Sequence, residues 1–301
     1  MLVVFSALFS VCAVFVPGFN SAVNIEGLLL SVSTIGIIAC TMLFCLASGA
    51  FDLSVGSVAA CAGVATAVVT NLTDSVALGI TAGLGLGALV GLVNGVLIAK
   101  GGINALIATL ATMQIVRGLG YLVSGGKAVG VVREEFFTLG NSALAGLPAP
   151  VWICLGCFVF FGFLIERTTF GRNTLALGGN AEAARLAGIG IDRLKIAIFT
   201  LQGLLSALAG IVLASRMTSG QPTVAQGLEL DVISACVLGG VSLNGGIGKM
   251  SHVIAGVLIM GTVRNAMNLL NVPTFYQYIA SGLILLAAVS FDGLKQRGSR
   301  R

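Results

Sequence analysis

From Leu2 to Phe291 the chain is a succession of apolar runs, most of them near the roughly 20 residues that a helix needs to cross a hydrocarbon core about 30 Å thick. This constrains the fold more than any other feature. Wherever such a run is interrupted inside the bilayer, the freed backbone groups must be satisfied by protein or by a water-filled cavity. Apolar residues make up 57% of the 301 and charged residues 9%, where soluble domains carry roughly 25% charge. Mean hydropathy is +1.06. The fold class is therefore an all-α polytopic membrane protein, with residues 1–301 forming a single transmembrane domain and no length left for a soluble one.

The spacing predicts spans at Leu2–Val16, Ser31–Ala47, Val58–Val69, Val76–Ala99, Ile103–Leu122, Pro150–Ile165 and Ile196–Ala214. A short apolar segment after Glu229 and Asp231, a run from Val253 extended to Asn271, and Tyr276–Phe291 follow. The expected total is about ten crossings. No Lys or Arg precedes Lys100, so the start carries no secretory signal, and a short cytoplasmic lead is expected upstream of Met1.

One stretch stands apart. Glu166–Lys195 holds Arg167, Arg172, Arg185, Arg193 and Lys195 against Glu166, Glu182 and Asp192, a positive excess that predicts a cytoplasmic loop. Within it Asn180 can cap a helix starting at Ala181, with Glu182 in the positive first turn, Arg185 toward the negative end and Gly188 closing it. So short a helix does not persist alone. Two readings stay open: a helix that needs a partner surface, or a solvated connection. The tail 293–301, with Lys295, Arg297, Arg300 and Arg301, also reads as cytoplasmic, and 124–148, with no net charge, as an outside loop. The net charge of +5 marks an inner membrane face and not a nucleic-acid surface, for which basic residues interleaved with aromatics would be needed.

Two polar, glycine-rich breaks interrupt the apolar pattern, Gly49–Ser57 and Gly239–Gly248, and read as broken or re-entrant segments; their likeness is too short to establish a repeat. Asp52 and Ser54 in the first are candidates for a translocation path, Asp52 being equally readable as a helix cap. Thr109, Thr112, Gln114 and Arg117 give the fifth span a polar side, and Asn265 and Asn268 do the same near the end; Thr109, Gln114, Asn265 and Asn268 join the path candidates. Arg117 has two readings, snorkelling to the interface or a place in the path. Gly79, Gly83, Gly87, Gly91 and Gly95, four apart, make one smooth helix face on which another helix can approach closely.

Other chemistry is weakly represented. The seven cysteines lie in apolar stretches as small hydrophobes, and the Cys154/Cys157 pair lacks further ligands for zinc, His252 being the single histidine. GIGK ending at Lys249 resembles a P-loop end, yet Leu243 stands where its first glycine belongs and Met250 where Ser or Thr is required. No metal or catalytic constellation is expected.

FDLSVGS, FGRNTLALGGNAEAARLAGI and LGGVSLNGGIGK resemble the permease subunits of bacterial ABC importers for ribose, xylose, arabinose and related sugars. CTMLFCLASGAFDLS, INALIATLATMQIVRGL, ASRMTSGQP and AMNLLN are similar to the arabinose branch of that family. Ala50 departs from the acidic residue or glycine that close relatives tend to carry. The resemblance implies the ABC importer permease fold in the inner membrane with both termini cytoplasmic, a second copy of the permease, surrounding membrane lipid, cytoplasmic ATPase subunits that use ATP and Mg, and a periplasmic sugar-binding protein. It also implies that Asn180, Glu182, Ala183, Ala184, Arg185 and Gly188 dock the ATPase, and that the chain itself holds no cofactor. Ribose and xylose stay open as substrates. An ion-coupled secondary transporter is the competing class, with Asp52, Glu229 and Asp231 as its available carboxylates.

Overall fold

The computed structural model describes residues 1–299, with side chains for 1–290. Among the described residues six helices are long and apolar enough to cross a membrane: α2 (Ala22–Ala47), α3 (Val55–Thr73), α4 (Val76–Ala99), α5 (Ala105–Ser124), α7 (Ala149–Arg167) and α10 (Ile191–Arg216). Around them lie α1 (Leu2–Phe15), α11 (Leu228–Leu238), α12 (Met250–Leu269) and α13 (Thr274–Ser299). The short α6 (Glu135–Asn141), α8 (Thr169–Gly179) and α9 (Ala181–Leu186) occupy the two long connections. The fold is a helical membrane bundle with two broken segments, and the count of about ten crossings goes beyond these six. The charged side chains from which the tail 293–301 was read as cytoplasmic lie outside the described residues.

Helix starts follow their caps. Ser21, Ser75 and Asn104 accept from the backbone N–H of Asn24 (3.3 Å), Leu78 (3.4 Å) and Leu106 (2.9 Å) at the starts of α2, α4 and α5. Because the cap at Ser21 sits well before the apolar run, α2 begins at Ala22 and not at Ser31. Helix α10 has no side-chain cap at Gly190, yet begins at Ile191, ahead of Ile196, with Asp192 in its first turn.

Helix α2 runs through the middle, buried from Val32 to Ala47, and packs on α7, α10, α11 and α12. Phe44 carries it onto α7 and α8, with ring centroids 6.2 Å from Phe161 of α7 and 5.6 Å from Phe170 of α8. A second block is α3, α4 and α10. There the glycine stripe of α4 meets both neighbours closely: a Cβ at Gly79 or Gly83 would overlap the hydroxyl of Thr70 or Thr66 of α3, and at Gly87, Gly91 or Gly95 would press on the backbone of Gly203, Phe199 or Ile196 of α10. The partner of the stripe thus lies within the chain.

The connection 124–148 is not irregular. It holds β1 (Val129–Gly130), α6, and the hairpin β2 (Ala143–Leu144) with β3 (Leu147–Pro148); β1 pairs antiparallel with β4 (Ser219–Gly220). The Ser215 hydroxyl clamps α6 to α10, donating to Phe136 O (2.5 Å) and accepting from Gly140 N (2.8 Å).

Candidate functional site

The charged loop folds as two helices, one more than its spacing predicts. Thr168 caps α8, and Asn180 caps α9 by accepting from the Ala183 N–H at 3.0 Å. Gly188 (φ +82°) closes α9, its N–H donating to Arg185 O (3.0 Å) while Ile189 N donates to Ala184 O (3.1 Å). Helix α9 rests on α8 and the start of α10. Its outer face shows Glu182, Ala183, Arg185 and Leu186, the last 87% exposed. Ala184, expected at the partner surface, is 3% exposed and turned toward its own chain, because the side of a two-turn helix that holds it down is no longer free. It positions α9.

Directly before Asn180, the end of α8 is wedged between the two polar breaks. No Cβ fits at Gly178, where it would overlap Ala47 O and lie 2.5 Å from Gly246 N. Gly246 N in turn donates to Ala47 O at 2.8 Å. A Cβ at Gly245 would lie 2.8 Å from Gly178 Cα and 2.9 Å from Gly49 N. Three distant segments therefore meet through backbone alone.

The breaks themselves make the same turn. Gly49 N donates to Leu46 O (2.9 Å) and Ala50 N to Cys45 O (3.0 Å); Gly240 N donates to Val237 O (2.8 Å) and Val241 N to Cys236 O (3.0 Å). Gly49 (φ +79°) and Gly240 (φ +94°) hold the left-handed position that this helix ending requires. CLASGA and CVLGGV are the matching sequences.

Past the first turn, Asp52 accepts from both Ser54 N (2.8 Å) and Ser54 Oγ (2.6 Å), fixing the start of α3. Asn94 of α4 donates to Ser54 Oγ (3.1 Å) and accepts from Thr112 of α5 (2.7 Å). Asp52, Ser54 and Asn94 are all at most 1% exposed. This chain of polar groups ties α3, α4 and α5 at one level. Asp52 and Ser54 are brought together; the other path candidates are scattered. Thr109 donates to its own helix at Ala105 O (2.8 Å), and Gln114 is exposed on α5. Asn265 exchanges amide hydrogen bonds with Asn24 (2.8 and 3.0 Å), and Asn268 accepts from Gln277 (2.8 Å). Asn265 and Asn268 join helix ends.

Arg117 has a third role that neither sequence reading held. It donates to Pro222 O and Val224 O, both at 2.8 Å. The non-helical stretch after β4 runs along α3, with Gly220 against Gly63 and Ala225 against Gly56, before α11 begins. Arg117 satisfies carbonyls that such a stretch leaves open. Asp231 of α11 pairs with Arg264 of α12 at 2.5 Å. Asn94 and Gly178 were missed: the first sits inside the glycine stripe as its single amide, and the second lies in the charged loop ahead of the one helix that its spacing predicts.

A bundle of apolar helices broken at matched glycine turns, with a helical charged loop locked onto both breaks, is the architecture of a membrane permease. The chain belongs to the family described as branched-chain amino acid transport system / permease component, whose model matches residues 24–289. It is 66% identical over 300 residues to the L-arabinose transport system permease protein of Escherichia coli K12, covering 100% of this chain and 92% of that one. The L-arabinose ABC transporter permease protein of Azospirillum brasilense is 54% identical over 301 residues, covering 100% and 88%. The ribose import permease protein of Bacillus subtilis 168 is 44% identical over 282 residues, covering 93% and 87%. No solved structure matches the chain. It is a multi-pass inner-membrane protein and a transport subunit without catalytic chemistry of its own.

Proposed function

We propose that this chain is the permease subunit of an ATP-driven ABC importer for L-arabinose. The observation that carries the reading is identity of 66% and 54% along the whole chain to two permeases named for L-arabinose, against 44% to one named for ribose. ATP and Mg act on a separate ATPase, seated on the outer face of α9. A periplasmic sugar-binding protein delivers the sugar on the opposite side. Ten crossings, α1 to α5, α7 and α10 to α13, with the non-helical stretch after β4 and the short α11 together making one of them, leave both termini in the cytoplasm, in keeping with the cationic loop between α7 and α10.

A second copy completes the passage. Gln114 supports this, being exposed on a membrane-spanning helix beside exposed Leu110 and Ile115, where lipid would leave its amide unsatisfied. Movement of α9 by the ATPase passes through Gly178 to both breaks, and so to α2, α3, α11 and α12. Selection of the sugar rests largely on the binding protein, since Thr109, Asn265 and Asn268 are engaged within the chain.

The test is uptake of labelled L-arabinose and ribose in cells whose own arabinose permease is deleted, with the cognate ATPase and binding protein supplied. Uptake of L-arabinose that stops with an inactive ATPase is expected. Ribose uptake alone would transfer the assignment to the ribose branch, and uptake indifferent to the ATPase would favour ion coupling.

A further inference from the structure

Beside α9, where the lipid-facing surface of α4 ends, lies a cavity of about 740 Å³ lined by Lys100, Arg185, Arg193, Asp192, Ile189 and Ile196 among others. Three cations face it with one carboxylate. None of the three side chains makes an ion pair or hydrogen bond among the described residues. Unpaired cations gathered around one space, and not spread over a solvated face, are a binding arrangement for an anion.

The level of the cavity is fixed by packing. A Cβ at Gly95 of α4 would lie 2.7 Å from Ile196 Cα of α10, so the two backbones touch there. Lys100 lies just past that contact on α4, and Asp192 and Arg193 lie one turn before it on α10, which brings all three to one height. Val93, Val96 and Leu97, exposed by 45%, 38% and 36%, precede Lys100 at the spacing of a single helix face. An apolar stripe therefore leads out of the hydrocarbon and ends at the cationic cavity.

We propose that this cavity binds the phosphate headgroup of an anionic phospholipid, with acyl chain lying along the Val93–Leu97 stripe. Arginine forks meet phosphate oxygens two at a time, and lysine adds a point charge. Basic pockets between membrane helices take anionic headgroups on these grounds. A soluble phosphate would meet the same cations but not the stripe, and an acidic surface of the ATPase would meet the cations from the water side. The stripe decides for the lipid. The inference rests on the proposed function only in taking the chain as membrane-embedded; sugar uptake plays no part in its test, so failure of one is separable from failure of the other.

The experiment is native mass spectrometry of the full chain from nanodiscs, titrated with phosphatidylglycerol, phosphatidylcholine or inorganic phosphate. Lys100→Gln/Arg193→Gln is compared with Arg172→Gln, a cation of the same loop outside the cavity. Retained phosphatidylglycerol, weakened about thirty-fold by the double substitution and unchanged by Arg172→Gln, is the expected result, since two cations at about 1 kcal/mol each convert to that factor. Equal binding in the double variant, equal retention of phosphatidylcholine, or binding of inorganic phosphate that displaces the lipid would each overturn the proposal. Loss of ATPase co-purification in the double variant with lipid binding unchanged would give the cavity to the ATPase instead.

Discussion

The backbone N–H of Gly246 donates to the carbonyl oxygen of Ala47 at 2.8 Å, joining the break after α11 to the end of α2. Gly178 lies against both atoms of that bond. The loop that carries α9 thus touches the two interrupted regions of the bundle at one point, and touches them without any side chain that could yield.

Gly178→Ala is expected to abolish sugar uptake, because the new methyl overlaps Ala47 O; overpacking of this kind costs about 1–3 kcal/mol. Gly179→Ala is the comparison, since nothing lies within 4 Å of its Cβ position. Uptake and thermal stability in detergent read the pair. Equal behaviour of the two would remove the contact from the transport cycle.

Asp52→Asn should keep the turn before α3, as an amide oxygen accepts from Ser54 as well as a carboxylate oxygen does, whereas Asp52→Leu leaves the Ser54 N–H and hydroxyl unmet. The loss for the leucine variant is about 1–3 kcal/mol for each buried group left without a partner. Asn94→Leu should cost a similar amount, measured by thermal unfolding. A folded Asp52→Asn chain without uptake would show that the charge itself is used.

Leu186→Glu is expected to weaken co-purification of the ATPase by tenfold or more, about the 1.4 kcal/mol that an exposed apolar anchor contributes at an interface, with insertion unchanged. Ala184→Arg should instead disorder α9 itself, since its side chain has no outward path. Limited proteolysis at the loop separates the outcomes: Leu186→Glu stays resistant and Ala184→Arg is cut.

Arg117→Leu should free the stretch held at Pro222 and Val224 and open it to water. A cysteine placed at exposed Thr223 would then label faster with a membrane-impermeant maleimide. Arg117→Lys, able to meet one carbonyl, is expected to fall between. An unchanged labelling rate in Arg117→Leu would mean that packing along α3 suffices to hold the stretch.

The span of α4 and the cap at Asn180 could be read from the sequence because their signals are local: a serine or asparagine before an apolar or charged turn, and a breaker after it. The glycine stripe was readable as a face, though its partners, Thr66 and Gly203, lie on helices that spacing does not pair. Asn265 and Asn268 looked like path residues because polarity in an apolar run is conspicuous, while Asn24 and Gln277, which answer it, are distant or inconspicuous. Helix α8 hid behind its glycines. Gly171 and Gly178 argue against a helix by propensity, yet each is there because backbone of the chain lies against it.

The packing of α4 on α3 and α10 has a mechanical consequence. Where glycine faces the backbone of α10 there are no rotamers to exchange, and toward α3 the neighbours are Thr66 and Thr70, β-branched and stiff at χ1, so the three helices have one way to fit and no neighbouring fit to slip into. They form a stator. Rearrangement of the bundle is expected instead at seams where long side chains interdigitate, such as Phe44 with Phe161 and Phe170, which keep rotamers to exchange.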